Sequence, residues 1–407
     1  KNLFPKGVSY CSRLIPVYLQ ILKNLCTDLS EPVPLDGVDP SALYRLAEKH
    51  CSLPFLLPYF EQQPQFSALK QQTKQMLLSY YQLEILHALL FRSSLREDSL
   101  LFLKGISLAA NYPIPEYRKL GDLDLYIPEK DAFSRACRIL NAHGYTEEPE
   151  ESDHHVTYRF TFPETGRSFT LELHYRIVGI YQFSRANELV DEIFSASHLK
   201  PSFVELYGQT YPVLPPTENV FYMLHHMLKH YLYSGFGSRL LCDFTLYLER
   251  YASEVNFEKI HFWCRESKIF HLYELILESC RIYFGLSASI DPQVHCSASD
   301  CAIFLEKILA DGDFGSDTQR KIVSSGSYQH TGIHAWFHEG HIQMKLTVPK
   351  AHKCVLLWPV LWVITFFCFL SNTYRIRHTT LRQTLADFRA DNRKTKLLKI
   401  FDNNDLQ

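Results

Sequence analysis

The sequence predicts an α/β fold of the α+β type, in which a small mixed sheet with helices packed on it is flanked by two helical regions. Between residues 99 and 214, segments with the alternation of strands are interspersed with short helical segments, whereas apolar residues recur at helical spacing on both sides. At 407 residues the chain is long for one core. We therefore expect an N-terminal helical region (1–98), an α/β domain (99–214) and a C-terminal helical domain (215–407).

The N-terminal region is predicted to be helical throughout. Asp39 and Pro40 form an N-cap followed by proline at the first helical position, which is typical of a helix start. The predicted helices are Ser12–Leu25, Ser41–His50 and Gln65–Phe91. Because no chemically suggestive cluster occurs in this region, we expect it to serve packing or partner contacts.

The α/β domain is predicted from a change of period after residue 99. Its predicted strands are Leu100–Leu103, Leu123–Ile127, Val156–Phe162 and Phe169–Tyr175, and its predicted helices are Gly105–Ala110 and Asp131–Ala142. Pro128 ends the second strand, and Gly144 ends the second helix. The last two strands are expected to form a hairpin through Pro163–Arg167.

The C-terminal domain is predicted to open with a helix from about Thr217, followed by a helix that carries Arg239 and Asp243. Further helices are expected over Phe257–Phe284 and Ala302–Leu309, and the Gly-, Ser- and Asp-rich segment Asp311–Ser327 is expected to be a linker. The uncharged run Cys354–Leu370 has 17 residues and a central Pro359. It is at the lower edge of transmembrane length, so we expect a buried or surface-docked helix, with peripheral membrane contact through 354–370 as the alternative.

The overall charge disfavours DNA as a partner, and the cysteine pattern favours a reducing compartment. A net charge of −2 gives no general attraction to nucleic acid, so DNA is not an expected partner. The eleven cysteines are scattered without a CxxC pair, and no signal peptide is recognisable. This pattern favours the reducing cytoplasm.

Two aspartates in the stretch 101–127 are the strongest indication of chemistry. Asp122 and Asp124 alternate with Leu123, so both carboxylates point to one face of a strand. Glu172 lies on the polar face of a later strand that could be a neighbour in the same sheet. Converging carboxylates repel one another unless a cation lies between them, and a hard cation such as Mg²⁺ suits oxygen ligands.

Residues before the aspartates are suited to the phosphates that accompany Mg²⁺. Gly105 lets backbone approach a phosphate, and the candidates to hold it are Lys104, Ser107, Arg118 and Lys119. Two other interpretations stay open. A single D-x-D pattern also occurs in solvated turns, and it marks metal-dependent glycosyltransferases.

The ordered set of motifs resembles the nucleotidyltransferase superfamily of the DNA polymerase β type, and more narrowly its bacterial branch of uncharacterised, stand-alone members. The set comprises Leu103-Lys104-Gly105, Arg118, Gly121–Asp124, the pair Gly144-Tyr145, and Leu171–Tyr175. The resemblance implies a nucleotidyltransferase sheet, with Asp122 and Asp124 as ligands of the catalytic Mg²⁺ or Mn²⁺ and Glu172 as the third acidic ligand. The chain departs from the superfamily at Ile106, where a small hydroxyl residue or glycine is usual.

Further polar residues are candidates for a substrate cleft. His174 shares a strand face with Glu172, and the predicted C-terminal helices carry Lys229, His230, Arg239 and Asp243. His226 and His230, one helical turn apart, could also bind zinc together with Asp243. No HExxH motif occurs, because residue 227 is Met.

Together with these residues, the resemblance implies a Mg²⁺-dependent enzyme that transfers NMP from an NTP to an acceptor hydroxyl. The acceptor could be a small molecule, an RNA end or a protein. One alternative is a nucleotide-binding or partner-binding module that has kept the fold without turnover. Another is a membrane-peripheral accessory protein.

Overall fold

A computed structural model describes the predicted sheet and most of the segments that surround it. It covers residues 13–27, 31–60, 100–119, 121–148, 152–161, 166, 168–181, 183–233, 235–312, 341, 344, 355–365 and 367, with the side chains of 232 and 233 excepted. The predicted helix Gln65–Phe91 and nearly all of the predicted linker Asp311–Ser327 lie outside these residues. Most of the predicted hairpin loop Pro163–Arg167 does too.

One mixed sheet forms the centre of the described fold. Its strands are β1 (Leu101–Phe102), β2 (Leu123–Tyr126), β3 (Thr146–Glu147), β4 (His155–Thr161), β5 (Ser168–His174), β6 (Ser202–Leu206) and β7 (Gln209–Val213). Their spatial order is β3-β4-β5-β2-β1-β7-β6, with β2 parallel to β5 and β1 parallel to β7. The predicted α/β class is confirmed, and β4 and β5 pair antiparallel as expected of a hairpin.

The described helices surround this sheet and continue beyond it. They are α1 (Leu14–Thr27), α2 (Pro40–Lys49), α3 (Leu57–Phe60), α4 (Gly105–Ala109), α5 (Lys130–Ala142), α6 (Ser184–Ile193), α7 (Pro216–Tyr233), α8 (Arg239–Tyr251), α9 (Phe257–Glu266), α10 (Phe270–Ser279) and α11 (Ala298–Asp311), with a π-helical turn at Cys280–Phe284. The side chain of Asp39 accepts a hydrogen bond from the Ser41 amide, so the predicted cap of α2 is present.

The alternation of β2 determines what each face of the sheet contacts. Leu123 and Leu125 are buried in one core cluster with strand residues such as Leu171 and with Ala136 of α5. Side chains alternate along a strand, so Asp124 and Tyr126 point to the opposite face. Tyr126 belongs to a second, larger core cluster that contains the helices outside the sheet. Asp124 is thereby placed between the sheet and the C-terminal helices.

The N-terminal and C-terminal helices share this second cluster. Val17 and Leu22 of α1 are buried with Leu241 and Phe244 of α8. Tyr18 makes hydrogen bonds of 2.6 Å to Ser52 Oγ and 2.7 Å to Ser238 Oγ. The regions 1–98 and 215–407, which the sequence treats as separate, therefore contribute to one core, although the proposed domain boundaries stay a prediction.

The uncharged run 354–370 is described over 355–365 and at 367. It begins with a 3₁₀ turn at Val355–Leu357 and continues as helix. Leu361 is buried, but Leu356 is 90% exposed and Phe367 63% exposed. Within the described residues, no helix has the length and apolar character needed to cross a membrane. Peripheral membrane contact stays a prediction.

Candidate functional site

A cleft with a cavity volume of about 240 Å³ lies between the sheet and helices α7 and α8. It brings together most of the predicted site residues, which are Lys104, Gly105, Arg118, Asp122, Asp124, Glu172, Lys229, His230, Arg239 and Asp243. The cleft walls thus come from the sheet and the Gly105 turn on one side and from α7 and α8 on the other. Ser107, Lys119 and His174 are not among the described residues that line it.

The predicted acidic cluster converges in this cleft. Asp124 of β2 and Glu172 of β5 are direct partners in the parallel register, so their side chains leave adjacent strands on the same face. Asp122 lies just before β2 on the exposed rim. Partial burial, followed by the negative charges of Glu172 and Asp124, raises the pKa of Asp122. Two of the causes are therefore neighbouring carboxylates on the same cleft wall.

Lys104 pairs with Asp124 at the floor of the cleft. Its Nζ lies 2.8 Å from Asp124 Oδ1, and the two side chains are 22% and 6% exposed. Burial opposes both charges, but their mutual attraction outweighs it, so the pKa of Lys104 is raised and that of Asp124 is lowered. Lys104 has a φ of +43°, which residues other than glycine rarely adopt. The chain therefore strains its backbone just before Gly105, where α4 begins.

His174 lies within hydrogen-bond distance of both Asp124, which is buried, and Glu172, which is partly buried. Its Nε2 lies 3.1 Å from Asp124 Oδ1 and 3.3 Å from Glu172 Oε2, and its ring is almost completely buried. Burial would raise the pKa of Glu172, but the hydrogen bond from His174 lowers it. The other ring nitrogen, Nδ1, is buried and has no hydrogen-bond partner among the residues that the structure describes.

Arg118 has a partner that the sequence did not indicate. Its Nε and Nη2 donate to Asp243 Oδ1 and Oδ2 at 2.8 and 2.9 Å, and Tyr112 donates to Asp243 Oδ1 at 2.7 Å. Arg118 Nη1 also approaches the Gly105 carbonyl oxygen at 3.4 Å. The guanidinium predicted to hold phosphate is therefore committed to an ion pair with α8, and it positions the Gly105 turn instead.

Two other predicted phosphate-binding residues are also placed differently. Ser107 is buried, donates to the Lys104 carbonyl oxygen at 3.0 Å, and lines a second cavity together with Val213 and Tyr247. The exposed Lys119 accepts a hydrogen bond at its carbonyl oxygen from Arg239 Nη1 at 3.0 Å. Because α4 directs Ser107 away from the cleft, its hydroxyl is a poor candidate for a phosphate contact. Gly105 keeps the expected place at the cleft.

Helix α7 contributes the polar side chains expected over the cleft, but not a zinc site with Asp243. His226 and His230 lie together, with 3.1 Å between their Nε2 atoms. Burial and the nearby positive charge of Lys104 hold the pKa of His226 well below its usual range, so its ring is neutral. Both Asp243 oxygens are occupied by Arg118, so the predicted His226–His230–Asp243 zinc set is not assembled.

The sequence reasoning missed two residues beside the acidic cluster, His154 and His155. His155 is the direct cross-strand partner of His174 in the antiparallel β4–β5 pair. Burial, together with the positive charge that His174 and His154 would carry, lowers the pKa of His155 to about 4, although Glu172 opposes the shift. The signal was the run Asp153-His154-His155 directly before a predicted strand, because a hairpin brings that strand's start beside its partner's end.

Comparison with known proteins identifies one family. The sequence profile of a family described as uncharacterised nucleotidyltransferase matches residues 36–285, which is more than half of the chain. A crystal structure of an antigenic nucleotidyltransferase-like protein from Paracoccidioides brasiliensis is similar at 16% identity, with a TM-score of 0.32 over 49% of this chain and 87% of that one. That likeness is too distant to bear on function. The chain matches no curated protein.

Proposed function

The chain belongs to the family of uncharacterised nucleotidyltransferases, and we propose that it transfers NMP from an NTP to an acceptor hydroxyl with the help of Mg²⁺ or Mn²⁺. The observation that carries the proposal is the in-register pair Asp124 and Glu172, with Asp122 at the rim of the same cleft. Neither solvated turns nor isolated caps bring three carboxylates together in this way.

The donor atoms in the cleft fit a hard dication. Asp122, Asp124 and Glu172 would supply the carboxylate oxygens that Mg²⁺ and Mn²⁺ prefer. Asp124 already attracts a cation, since Lys104 Nζ lies 2.8 Å away. When bound, the ions would neutralise charge that develops on the transferred phosphoryl group.

The side chains of the cleft have separate tasks in this proposal. Backbone at Gly105 and the ammonium of Lys104 face the phosphates, because both line the cleft beside Asp124. The acceptor oxygen forms a bond to the α-phosphorus, the bond from that phosphorus to the bridging oxygen breaks, and pyrophosphate leaves. Glu172 takes the acceptor proton, since the hydrogen bond from His174 keeps its carboxylate ionised.

The cleft also limits how the substrates bind. Its volume of about 240 Å³ is below the range of roughly 300–1,000 Å³ found for ligand pockets. In this proposal the phosphates bind inside, whereas the nucleoside and the acceptor extend out of the cleft, whose lining also includes the cations Lys229 and Arg239. The acceptor is a small molecule, an RNA end or a protein, and the near-neutral charge of the chain disfavours a long nucleic acid.

Replacing Asp124 with Asn tests this activity. We expect the wild-type chain to release pyrophosphate from at least one of the four NTPs with Mg²⁺ or Mn²⁺. Losing a residue that supports a metal ligand lowers activity by roughly 10–100-fold, and because Asp124 is itself a proposed ligand, we expect a larger fall in rate for Asp124→Asn. Lysate, tRNA and the protein itself serve as acceptor pools. The matched control is Asp131→Asn, at an exposed position in the first turn of α5.

The Lys104–Asp124 pair favours a second candidate function. A cation that already satisfies Asp124 is compatible with a module that binds nucleotide without turning it over. This alternative predicts Mg²⁺-dependent NTP binding by calorimetry with no pyrophosphate release. If release is absent and binding is absent too, both proposals are wrong.

A further inference from the structure

Three histidines form a compact cluster beside the acidic site. His155 is the first residue of β4, His154 directly precedes it, and His174 is the last residue of β5. The antiparallel register places His155 opposite His174. Ring centroids are 4.4 Å apart for His154 and His155, 5.5 Å for His154 and His174, and 5.1 Å for His155 and His174. We call these three residues the histidine cluster.

One nitrogen from each ring is within reach of a single ion. The three candidate ligand atoms lie within 4.8 Å of one another. Nitrogen atoms each about 2.0–2.1 Å from a zinc ion are separated by roughly 3–4 Å, so small side-chain rotations would bring all three into its coordination sphere. The cluster is also in or at the end of two paired strands, and such rigid elements hold ligands in place better than loops do.

His154 has the orientation expected of a metal ligand. Asp153 Oδ1 lies 2.7 Å from His154 Nδ1, and because a carboxylate accepts hydrogen bonds, Nδ1 carries the proton. The lone pair of Nε2 then faces the cluster, 3.1 Å from His155 Nδ1. A carboxylate behind a histidine is the usual support for an imidazole that binds metal.

The nitrogen atoms of the histidine cluster differ in their hydrogen-bond partners. Lys229 Nζ lies 3.2 Å from His154 Nε2, and Ser152 Oγ lies 3.1 Å from His155 Nδ1, so a bound ion would replace these contacts. His174 Nδ1, by contrast, is buried and has no partner among the described residues. A buried polar atom without a partner costs about 1–3 kcal/mol, a cost that coordination of an ion by this nitrogen would remove.

We propose that His154, His155 and His174 bind a transition-metal dication of the zinc class at a site beside the carboxylates of the cleft. Three imidazoles suit Zn²⁺, Co²⁺ or Ni²⁺, whereas Mg²⁺ requires oxygen ligands. Asp153 and Glu172 supply nearby negative charge, and Glu172 Oε1 lies 3.9 Å from His155 Nε2. The site shares His174 with the surroundings of Glu172, but its metal binding needs no nucleotide, because all three ligands are side chains of the protein.

A competing set of ligands shares His174. Asp124, Glu172 and His174 also bring three ligand atoms within 4.8 Å of one another. If that set held the zinc-class ion, its affinity would depend on Asp124 and not on His155. The two sets are therefore distinguishable by variants that touch only one of them.

Calorimetric titration of the whole chain with ZnCl₂, without nucleotide, tests the proposal, and Co²⁺ absorption reports the ligand geometry. We expect one Zn²⁺ per chain, a loss of roughly 10–100-fold in affinity for Asp153→Asn, and a larger loss for His155→Gln. His143→Gln, at an exposed position after α5, is the control and should keep wild-type affinity. Circular dichroism checks that each variant is folded.

Two results would overturn the proposal. One is the absence of stoichiometric Zn²⁺ binding by the folded wild-type chain. The other is affinity that collapses in Asp124→Asn but is kept in His155→Gln, which would assign the ion to the carboxylate set. Because no nucleotide is present, neither result depends on whether pyrophosphate release is observed.

Discussion

Two ion pairs line the same cleft and differ in how many hydrogen bonds their carboxylate oxygens accept. Arg118 and Asp243 form a two-pronged pair whose side chains are 4% and 0% exposed, and Tyr112 donates to Asp243 as well. Lys104 reaches Asp124 through a single contact and is 22% exposed, with Glu172 and Asp122 contributing further negative charge nearby. The first pair is closed to further ligands, and the second is open to them.

The difference indicates that the Arg118–Asp243 pair has a structural role, whereas the Lys104–Asp124 pair belongs to the proposed reaction site. A pair with every oxygen bonded fixes α8 against the Gly105 turn and offers no site for another cation. A cluster with more carboxylates than cations keeps an affinity for positive charge. Arg118 and Lys104 were both predicted to hold phosphate, but only Lys104 lies in a cluster with more carboxylates than cations.

Replacing Arg118 with Met should have the largest effect on stability. Asp243 would be left charged and buried without its cation, and breaking a pair of this kind costs about 3–5 kcal/mol in the free energy of unfolding. Urea denaturation followed by circular dichroism measures the loss. The matched control is Arg185→Met, whose partner Glu266 lies on the surface, and it should shift the midpoint little. Equal losses in the two variants would show that the Arg118 pair is not the support described above.

Replacing Lys104 with Met should lower the free energy of unfolding by less, and added metal should restore part of the loss. Asp124 keeps its hydrogen bond to His174, so we expect a loss of about 1–3 kcal/mol, part of which Mn²⁺ restores because it replaces the missing cation. Thermal melts with and without Mn²⁺ measure the rescue. Arg118→Met should show no such rescue. Failure of Mn²⁺ to stabilise Lys104→Met would mean that the cluster is not open to a dication.

The alternating strands explain what the sequence could predict about the site. Leu123 and Leu125 alternate with Asp124, and Leu171 and Leu173 alternate with Glu172, so each acid was assigned to the polar face of its strand. Burying both leucine rows in one core leaves both acids on one side, and this local pattern does not depend on distant residues. The sequence left the pairing of β2 with β5 open as a possibility, and the register shows that the two strands do pair.

Contacts between distant segments could not be predicted in the same way. Arg118 and Asp243 are 125 residues apart, and no periodicity links them. The direction of Ser107 depends on where α4 begins, which Lys104 sets by an unusual φ. Likewise, His155 becomes a neighbour of His174 only through the hairpin register, which a shift of one residue would have changed.

The most direct measurement is the location of Mn²⁺ in crystals grown with a non-hydrolysable NTP analogue, read from anomalous scattering. We expect Mn²⁺ between Asp122, Asp124 and Glu172, with the analogue's phosphates toward Gly105 and Lys104. Mn²⁺ and phosphates bound elsewhere, or a cleft that still has Lys104 on Asp124 and no ion at saturating concentrations, would contradict the central claim that the open ion pair marks the metal-nucleotide site.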